Sequence, residues 1–331
     1  MAMSIINKYV WLVETIYRAH KISFEDINRK WLDNEDFSEG VELPLRTFHK
    51  WRIAVEEIFG LIIENEKRGE YRYYIENEDA ITRGGIRSWM FNTISTSNIL
   101  WENRSLSDRI LLEDIPSGRE YLQPIIDAMK KNQLIHFTYY NYWRGDYRQH
   151  CIEPYCVKLF RQRWYVVGKE LDATDNKPRA EMSLLNLCRG ATDEEQSSNV
   201  IHVYSLDRMS KFSKSEQTFK YPTDFDGENF FKGCYGIIAG DGTNLEHVAL
   251  KVSAGQANYM RDLPMHQSQR EIEQNDKYSI FELNIRPTFD FQQEILWNGE
   301  DIEVLEPMWL RKEIAGKIKL MWNKYQERRN K

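Results

Sequence analysis

The chain has no run of about 18 apolar residues, so no segment is expected to cross a membrane as a helix. Cysteine is scarce, with 4 in 331 residues, and Cys151, Cys156, Cys188 and Cys234 form neither a Cys-x-x-Cys pair nor a Cys/His array at zinc spacing. The four read as reduced thiols that pack, and no metal is expected. No glycine loop leads into Lys-Ser/Thr; Gly240-Asp241-Gly242 is a turn and not a phosphate cradle. The carboxylates Glu153, Asp207 and Glu306 are scattered and form no motif of nuclease or phosphoryl-transfer type. His150 stands next to Cys151, but neighbours on a strand face opposite sides, so the two cannot make a nucleophilic dyad directly. These absences point away from an enzyme and away from a bound cofactor. Residues Met1 to Lys8 lack an apolar core followed by small residues, so no secretory signal is expected and the compartment is read as the cytoplasm.

A basic excess is also missing, since 45 Lys and Arg stand against 51 Asp and Glu, a net charge of −6. The balance is nevertheless uneven: 11 basic against 16 acidic residues over 1–80, but 15 against 11 over 130–220. A polyanionic partner would therefore be met by local patches and not by the whole surface. The length of 331 residues predicts two or three domains, and 41% hydrophobic residues supply their cores.

Apolar residues at helical spacing predict a first helix over Ile5 to Ala19, with Ile5, Ile6, Tyr9, Val10, Val13, Ile16 and Tyr17 on its stripe. Ser23 is a good N-cap for a second, shorter helix carrying Phe24, Ile27 and Trp31. Pro44 opens a third, with Leu45, Phe48, Val55, Ile58 and Phe59 expected inside. Strands Leu61 to Glu64 and Tyr71 to Ile75 flank the turn Lys67-Arg68-Gly69 as a hairpin. Three helices closed by a hairpin is the winged helix-turn-helix arrangement. No acidic residue occurs between Leu43 and Val55, so Arg46, Thr47, His49, Lys50 and Arg52 are candidate contacts to duplex DNA, and Lys67 and Arg68 would reach its backbone from the wing. One reading helix covers too few base pairs to be selective, which implies a homodimer on a near-palindromic site.

The stretch 81–130 reads as a stiff helical connector, ending in a helix over Tyr121 to Lys131. Strands then dominate: Leu134 to Tyr142, Cys151 to Leu159, Arg161 to Lys169, Ala180 to Leu187 and Val200 to Leu206, with a polar loop over Thr192 to Asn199. Five short strands suffice for a small, strongly bent barrel. On the strand Arg161 to Lys169, Trp164 and Val166 share one face, expected to pack, whereas Arg163 and Tyr165 share the other and offer a cation and a ring to a partner. The run Lys211 to Gly227 reads as polar and irregular. From Val248 onwards the order is β-α-β-β-α-β, a ferredoxin-like pattern, and Pro307 opens a last helix, Trp309 to Gln326, with a basic end at Arg328, Arg329 and Lys331. The fold class is thus α+β and multidomain, with expected boundaries at 1–80, 81–130, 131–230 and 231–331.

Four motifs in this order resemble a known family. Trp164-Tyr165-Val166 resembles the Trp-Tyr-Leu signature of the WYL-domain transcriptional regulators of bacteria. Ile152-Glu153-Pro154-Tyr155 is similar to the family's proline-bearing strand, and Leu206-Asp207-Arg208-Met209 to its Leu-Asp-Arg-Ile strand. Val304-Leu305-Glu306-Pro307 with Leu310-Arg311 resembles the C-terminal extension called WCX, and Arg46-Thr47-Phe48 lies in a similar DNA reader. The resemblance implies an Sm-like or SH3-like barrel that senses single-stranded nucleic acid or a nucleotide-type ligand. Rings that stack on bases and cations that track phosphates are both present, as Trp164, Tyr165, Tyr204, Arg148, Arg161, Arg163 and Arg208. His150 stands where many members carry arginine, and His202 and Ser205 replace further basic residues, which implies weaker or more pH-dependent anion binding. The expected function is a ligand-responsive regulator, a repressor on promoter DNA. The competing expectation is an accessory module that holds single-stranded nucleic acid for a partner machine.

Overall fold

The computed structural model describes residues 5–69, 71–82, 84–110, 118–142, 145–171, 201–239 and 242–326. The strand expected over Ala180 to Leu187, the loop over Thr192 to Asn199, Cys188 and the tail residues Arg328, Arg329 and Lys331 lie outside them. No helix among the described residues is long and apolar enough to cross a membrane. The chain divides into two units, 1–113 and 114–331.

The first unit opens with α1 (Ile5–Ala19) and α2 (Phe24–Asp33), followed by the single turn α3 (Glu35–Ser38). Ser23 caps α2 as its sequence predicts, accepting from the Asp26 backbone N–H at 3.1 Å. Next come α4 (Leu45–Phe59) and the hairpin β1 (Ile63–Asn65) and β2 (Tyr73–Ile75), whose register pairs Ile63 with Ile75. Ile22 adds a third short segment to this ribbon by a bridge to Tyr73. Gly60 ends α4 at φ +70°, and a side chain there would also meet the Arg87 guanidinium at 2.7 Å. The core joins Val10, Val13, Ile16, Ile27 and Trp31 to Phe48, Val55 and Phe59. Leu45 departs from its expected place and is exposed, between the buried Leu43 and Phe48; Trp51 takes a buried place on the stripe instead.

The short α5 (Asp79–Thr82) and the long α6 (Ile86–Glu102) follow. α6 is not a free-standing connector. Phe91 enters the core of the first unit, Ser95 donates to the Glu14 carboxylate, and Asn98 Nδ2 donates to the Asn7 carbonyl at 3.1 Å. Its buried positions are Ser88, Phe91, Ser95 and Asn98, while Ile86, Trp89, Ile99 and Trp101 face outwards. Small polar residues let α6 approach α1 closely, a choice that hydrophobic periodicity does not reveal.

The second unit begins with α7 (Arg119–Lys130), which packs on a five-stranded antiparallel sheet. Its strands are β3 (Gln133–Asn141), β4 (Asp146–Phe160), β5 (Arg163–Leu171), β6 (Ile201–Ser205) and β7 (Met209–Thr218), in the order β6-β5-β4-β3-β7. The last of these corrects the sequence reading: residues from Lys211 to Thr218 are a strand, paired to β3, and not irregular. The strand lies at the sheet edge with most side chains in water, so little apolar alternation marks it. Ile125 and Ala128 of α7 meet Ile135, Phe137, Ile152, Val166, Tyr204 and Leu206 of the sheet.

After the single turn α8 (Gly227–Phe230) come β8 (Glu246–Ser253), α9 (Ala254–Asp262), β9 (Arg270–Gln274), β10 (Tyr278–Ile285), α10 (Phe289–Trp297), β11 (Ile302–Glu306) and α11 (Met308–Gln326). The strand order β11-β8-β10-β9, all antiparallel, is the arrangement that a split β-α-β-β-α-β pattern gives. This domain is fixed to the first sheet by side chains at the end of β4. Lys158 Nζ donates to the Gly236 carbonyl at 2.7 Å, and Arg161 binds Glu294 at 2.5 Å and the Tyr235 hydroxyl at 2.7 Å.

One glycine joins α7 to the sheet. Gly118 has φ +63°, and a Cβ there would stand 2.3 Å from Leu206 C and from Asp207 N. Gly118→Ala should therefore destabilise the second unit by at least about 2 kcal/mol, from left-handed strain and a backbone clash together. A loss below about 0.5 kcal/mol in urea denaturation would mean that this contact is looser than the geometry states.

Candidate functional site

Two groups of side chains stand out, one in each unit. In the first, Arg46, His49 and Lys50 are exposed on the N-terminal half of α4, with Thr47 half-buried beside them. Lys67 and Arg68 are exposed at the hairpin turn. Arg52 is placed differently. Its Nε donates to the Ile63 carbonyl at 2.9 Å, Nη2 donates to the same oxygen, and the guanidinium lies 5.2 Å from the centre of the Tyr73 ring. It ties α4 to the hairpin and so fixes the angle between the two basic surfaces.

The second group is built on the face of the five-stranded sheet that α7 covers. Cross-strand register puts Phe137 opposite His150, Ile152 opposite Glu170, Gly168 opposite His202 and Val166 opposite Tyr204. Alternation then brings Phe137, Tyr139, His150, Glu170, His202 and Tyr204 to one side. Glu170 is at the centre and only 6% exposed. Its Oε1 lies 2.7 Å from His150 Nδ1, its Oε2 accepts from the Tyr204 hydroxyl at 2.5 Å, and His202 Nε2 stands 3.8 Å away. Burial pushes the Glu170 carboxyl up, but the hydrogen bond and charge of His150, the Tyr204 hydroxyl and the charge of His202 outweigh it and hold the group below the ordinary carboxylate value. Rings enclose the cluster: His150 stacks on Phe137 at 5.6 Å, and Tyr204 lies 5.1 Å from each of Phe137, Tyr139 and His150.

Next to it, Arg208 donates to the Tyr139 hydroxyl, and its guanidinium lies 4.5 Å and 4.8 Å from the centres of the Tyr139 and Tyr142 rings. The Ser205 backbone N–H also donates to that hydroxyl, at 3.1 Å, and burial above all pushes Tyr139 up to about 12. On the same face as Tyr204, Val166 is fully buried in the core and Trp164 packs against it, as expected of the two. Arg163, on the other face, donates to the Asp207 carboxylate, which also accepts from Ser205 Oγ. Tyr165 is buried, and that burial raises its hydroxyl above the ordinary value.

The structure thus brings His150, His202, Tyr204 and Arg208 into one contiguous cluster. Arg148 is held at its edge by Asp146, at 3.2 Å. Arg161 stands apart, bound to Tyr235 and Glu294 at the second domain. Glu170, Phe137, Tyr139 and Tyr142 were missed by the sequence reading. A lone carboxylate in the run Val166-Val167-Gly168-Lys169-Glu170-Leu171 is the one signal that could have found the first. Cys151 faces the opposite side from His150, with its Sγ 3.9 Å from His136 Nε2, and burial first, then Glu170 and Glu153, push its thiol up to about 11. Such a thiol is not a nucleophile near neutral pH. Among the described residues no group of three or more His, Cys, Asp and Glu side chains could hold a metal ion.

Fold and clusters together define a multidomain α+β protein with an exposed basic helix in one unit and a ring-lined, charge-paired cluster in the other. Family profiles name two of its parts: residues 120–180 match the WYL domain and residues 244–322 the WCX domain. The chain thus carries a WYL domain followed by a WCX domain. No curated protein matches the sequence. Among solved structures, the proteasome accessory factor B/C (PafBC) of Arthrobacter aurescens is 14% identical at TM-score 0.32, over 93% of this chain and 46% of its own length. A CRISPR Cas-related protein is 13% identical at TM-score 0.37, over 89% of this chain and 78% of its own. This chain therefore spans about half the length of the first of these, and neither likeness bears on what it does.

Because Glu170 titrates lower in the folded chain, its stabilisation is complete above the ordinary value of 4.5 and is lost as the pH falls through the lowered one. Glu170→Gln should cost about 2 kcal/mol at neutral pH. The urea midpoints of the two proteins should converge as the pH drops below the ordinary carboxylate value. A gap that stays constant into that acidic range would show that the charge of Glu170 contributes nothing.

Proposed function

We propose that the chain is a bacterial DNA-binding transcriptional regulator that works as a homodimer, reads duplex promoter DNA with its first unit and senses a nucleic-acid or nucleotide-type ligand with its WYL domain. The observation that carries this reading is the N-terminal half of α4, where Arg46, His49 and Lys50 are exposed and free of acidic neighbours in sequence, beside a hairpin tipped by Lys67 and Arg68. In this reading the unit is a winged helix-turn-helix. α4 lies in the major groove and the hairpin is the wing on the phosphate backbone.

The sensor is read as an Sm-like sheet whose ring cluster stacks a base while Arg208 meets a phosphate. Most of its cations are already paired, which favours a short or single nucleotide over a long polyanion. The contact of Gly118 with Leu206 and Asp207 supports a route from sensor to reader, because Arg208 follows directly and α7 is the first helix of the second unit. A ligand that draws on Arg208 would bias the start of α7, with a coupling of about 1–3 kcal/mol, and relieve repression. No residue in either cluster is assigned a catalytic step.

Gel-shift titration against the promoter region of its own operon tests the division of labour. Arg46→Ala with Lys50→Ala should weaken duplex binding at least tenfold and flatten its salt dependence, each lost phosphate contact lowering the slope by about 1. Arg208→Ala should leave ligand-free duplex binding unchanged and abolish the response to added oligonucleotides or nucleotides. Loss of duplex binding in Arg208→Ala alone would overturn the assignment.

A further inference from the structure

A cavity of about 270 Å³ lies within the first unit, between α1, α2 and α6. Trp11 and Ile99 form its apolar wall, and Trp11 is held edge-on to Trp31 with ring centres 5.2 Å apart. Four charged side chains also line it, Glu14 and Arg18 of α1, Lys30 of α2 and Glu102 of α6, so its charges balance. Asn98 lines it from α6 and is only 4% exposed. Its Nδ2 is committed to the Asn7 carbonyl, which fixes the amide orientation, while Oδ1 has no hydrogen-bond partner among the described residues. A buried amide oxygen without a donor is costly, so a group that carries N–H or O–H belongs against it. Glu14 is bound by Ser95, one helical turn before Asn98, and by Arg18 Nη2 at 2.9 Å. Each carboxylate oxygen can accept more than one bond, so Glu14 keeps acceptor capacity.

We propose that this cavity binds a small zwitterion of the α-amino-acid class. Its ammonium donates to Asn98 Oδ1 and Glu14, its carboxylate meets Lys30 and Arg18, and an apolar side chain lies on Trp11 and Ile99. The other occupants each leave something unmet. An anion alone would face two carboxylates and bring no donor to Asn98, whereas a cation alone would face Arg18 and Lys30. A hydrocarbon would leave the amide oxygen unpaired. Water would satisfy that oxygen but would use neither pair of charges nor the indole wall. The volume lies just below the roughly 300–1,000 Å³ of pockets for drug-sized ligands, which suits a single amino acid and not an oligonucleotide. The inference goes beyond the proposed function: it places a second ligand in the unit that carries the exposed basic helix, apart from the WYL domain.

Isothermal titration of the full chain with the standard L-amino acids tests this without reference to DNA. One with an apolar side chain, such as L-leucine or L-phenylalanine, should bind. Its amide, which lacks the carboxylate, and its deaminated acid, which lacks the ammonium, should each bind at least about tenfold more weakly. Asn98→Leu should abolish binding. Lys30→Ala changes an exposed side chain, so it should leave the melting temperature unaltered and still weaken binding at least about tenfold, which decides the matter even if Asn98→Leu fails to fold. Arg208→Ala, in the other unit, should bind as the wild type does. Absence of binding by every amino acid at millimolar concentration would mean that Asn98 Oδ1 meets water only, and it overturns the proposal. Equal binding of the two truncated compounds overturns it too, as does binding that is lost in Arg208→Ala but kept in Lys30→Ala. A chain that binds the amino acid but no duplex would instead overturn the proposed function and leave this site standing.

Discussion

A carboxylate in the middle of an apolar sheet face is the constraint on which the second unit depends. Removing an ionised group from water is costly unless its oxygens find donors, and Glu170 meets that condition with His150 on one oxygen and Tyr204 on the other. Those donors come from β4 and β6, the two strands that flank β5 in the sheet. The cluster can form only when the three strands are in the observed register. A one-residue slip of β6 would turn Tyr204 to the far face and leave the carboxylate unpaired. The pairing that stabilises the sheet is therefore the pairing that assembles the ring-lined cluster.

The second constraint is a close approach of backbones. The turn after β6 carries Leu206 into the core, Asp207 to Arg163 and Arg208 to Tyr139, so its residues reach both faces of the sheet. Gly118 lies directly against this turn, where no side chain fits. The same short segment thus holds the ring cluster, the motif strand β5 and the first helix of the unit. In the first unit Arg52 has the matching role, because its guanidinium joins α4 to the hairpin and leaves the cations on either side exposed.

Periodicity and caps made much of the architecture legible. Ser23 and Gly60 bound their helices, the hairpin turn fell at Lys67-Arg68-Gly69, and the order of the last domain followed from alternating strand and helix patterns. The errors share one cause. β7 shows little alternation because it is an edge strand in water, and α6 buries two serines and an asparagine beside Phe91 while Ile86, Trp89, Ile99 and Trp101 face out. In both, packing against a distant partner overrides the local pattern. The site divides similarly. His150, His202, Tyr204 and Arg208 were named by chemistry and motif, but Glu170, Phe137 and Tyr139 were not, since their roles depend on strands far apart in the chain.

What the sequence determined by itself were local properties: which segments are helix or strand, which carry cations without acids nearby, and which motifs mark the WYL and WCX domains. Backbone propensity and side-chain periodicity act over a few residues, and a linear chain displays them directly. Only the tertiary structure decided how those residues are used. It committed Arg161 to Glu294, Arg163 to Asp207 and Arg52 to a carbonyl, and it left Arg46, His49 and Lys50 exposed. The reason is physical: a charge takes the nearest partner in space, and that distance does not exist until the strands and helices have been brought together.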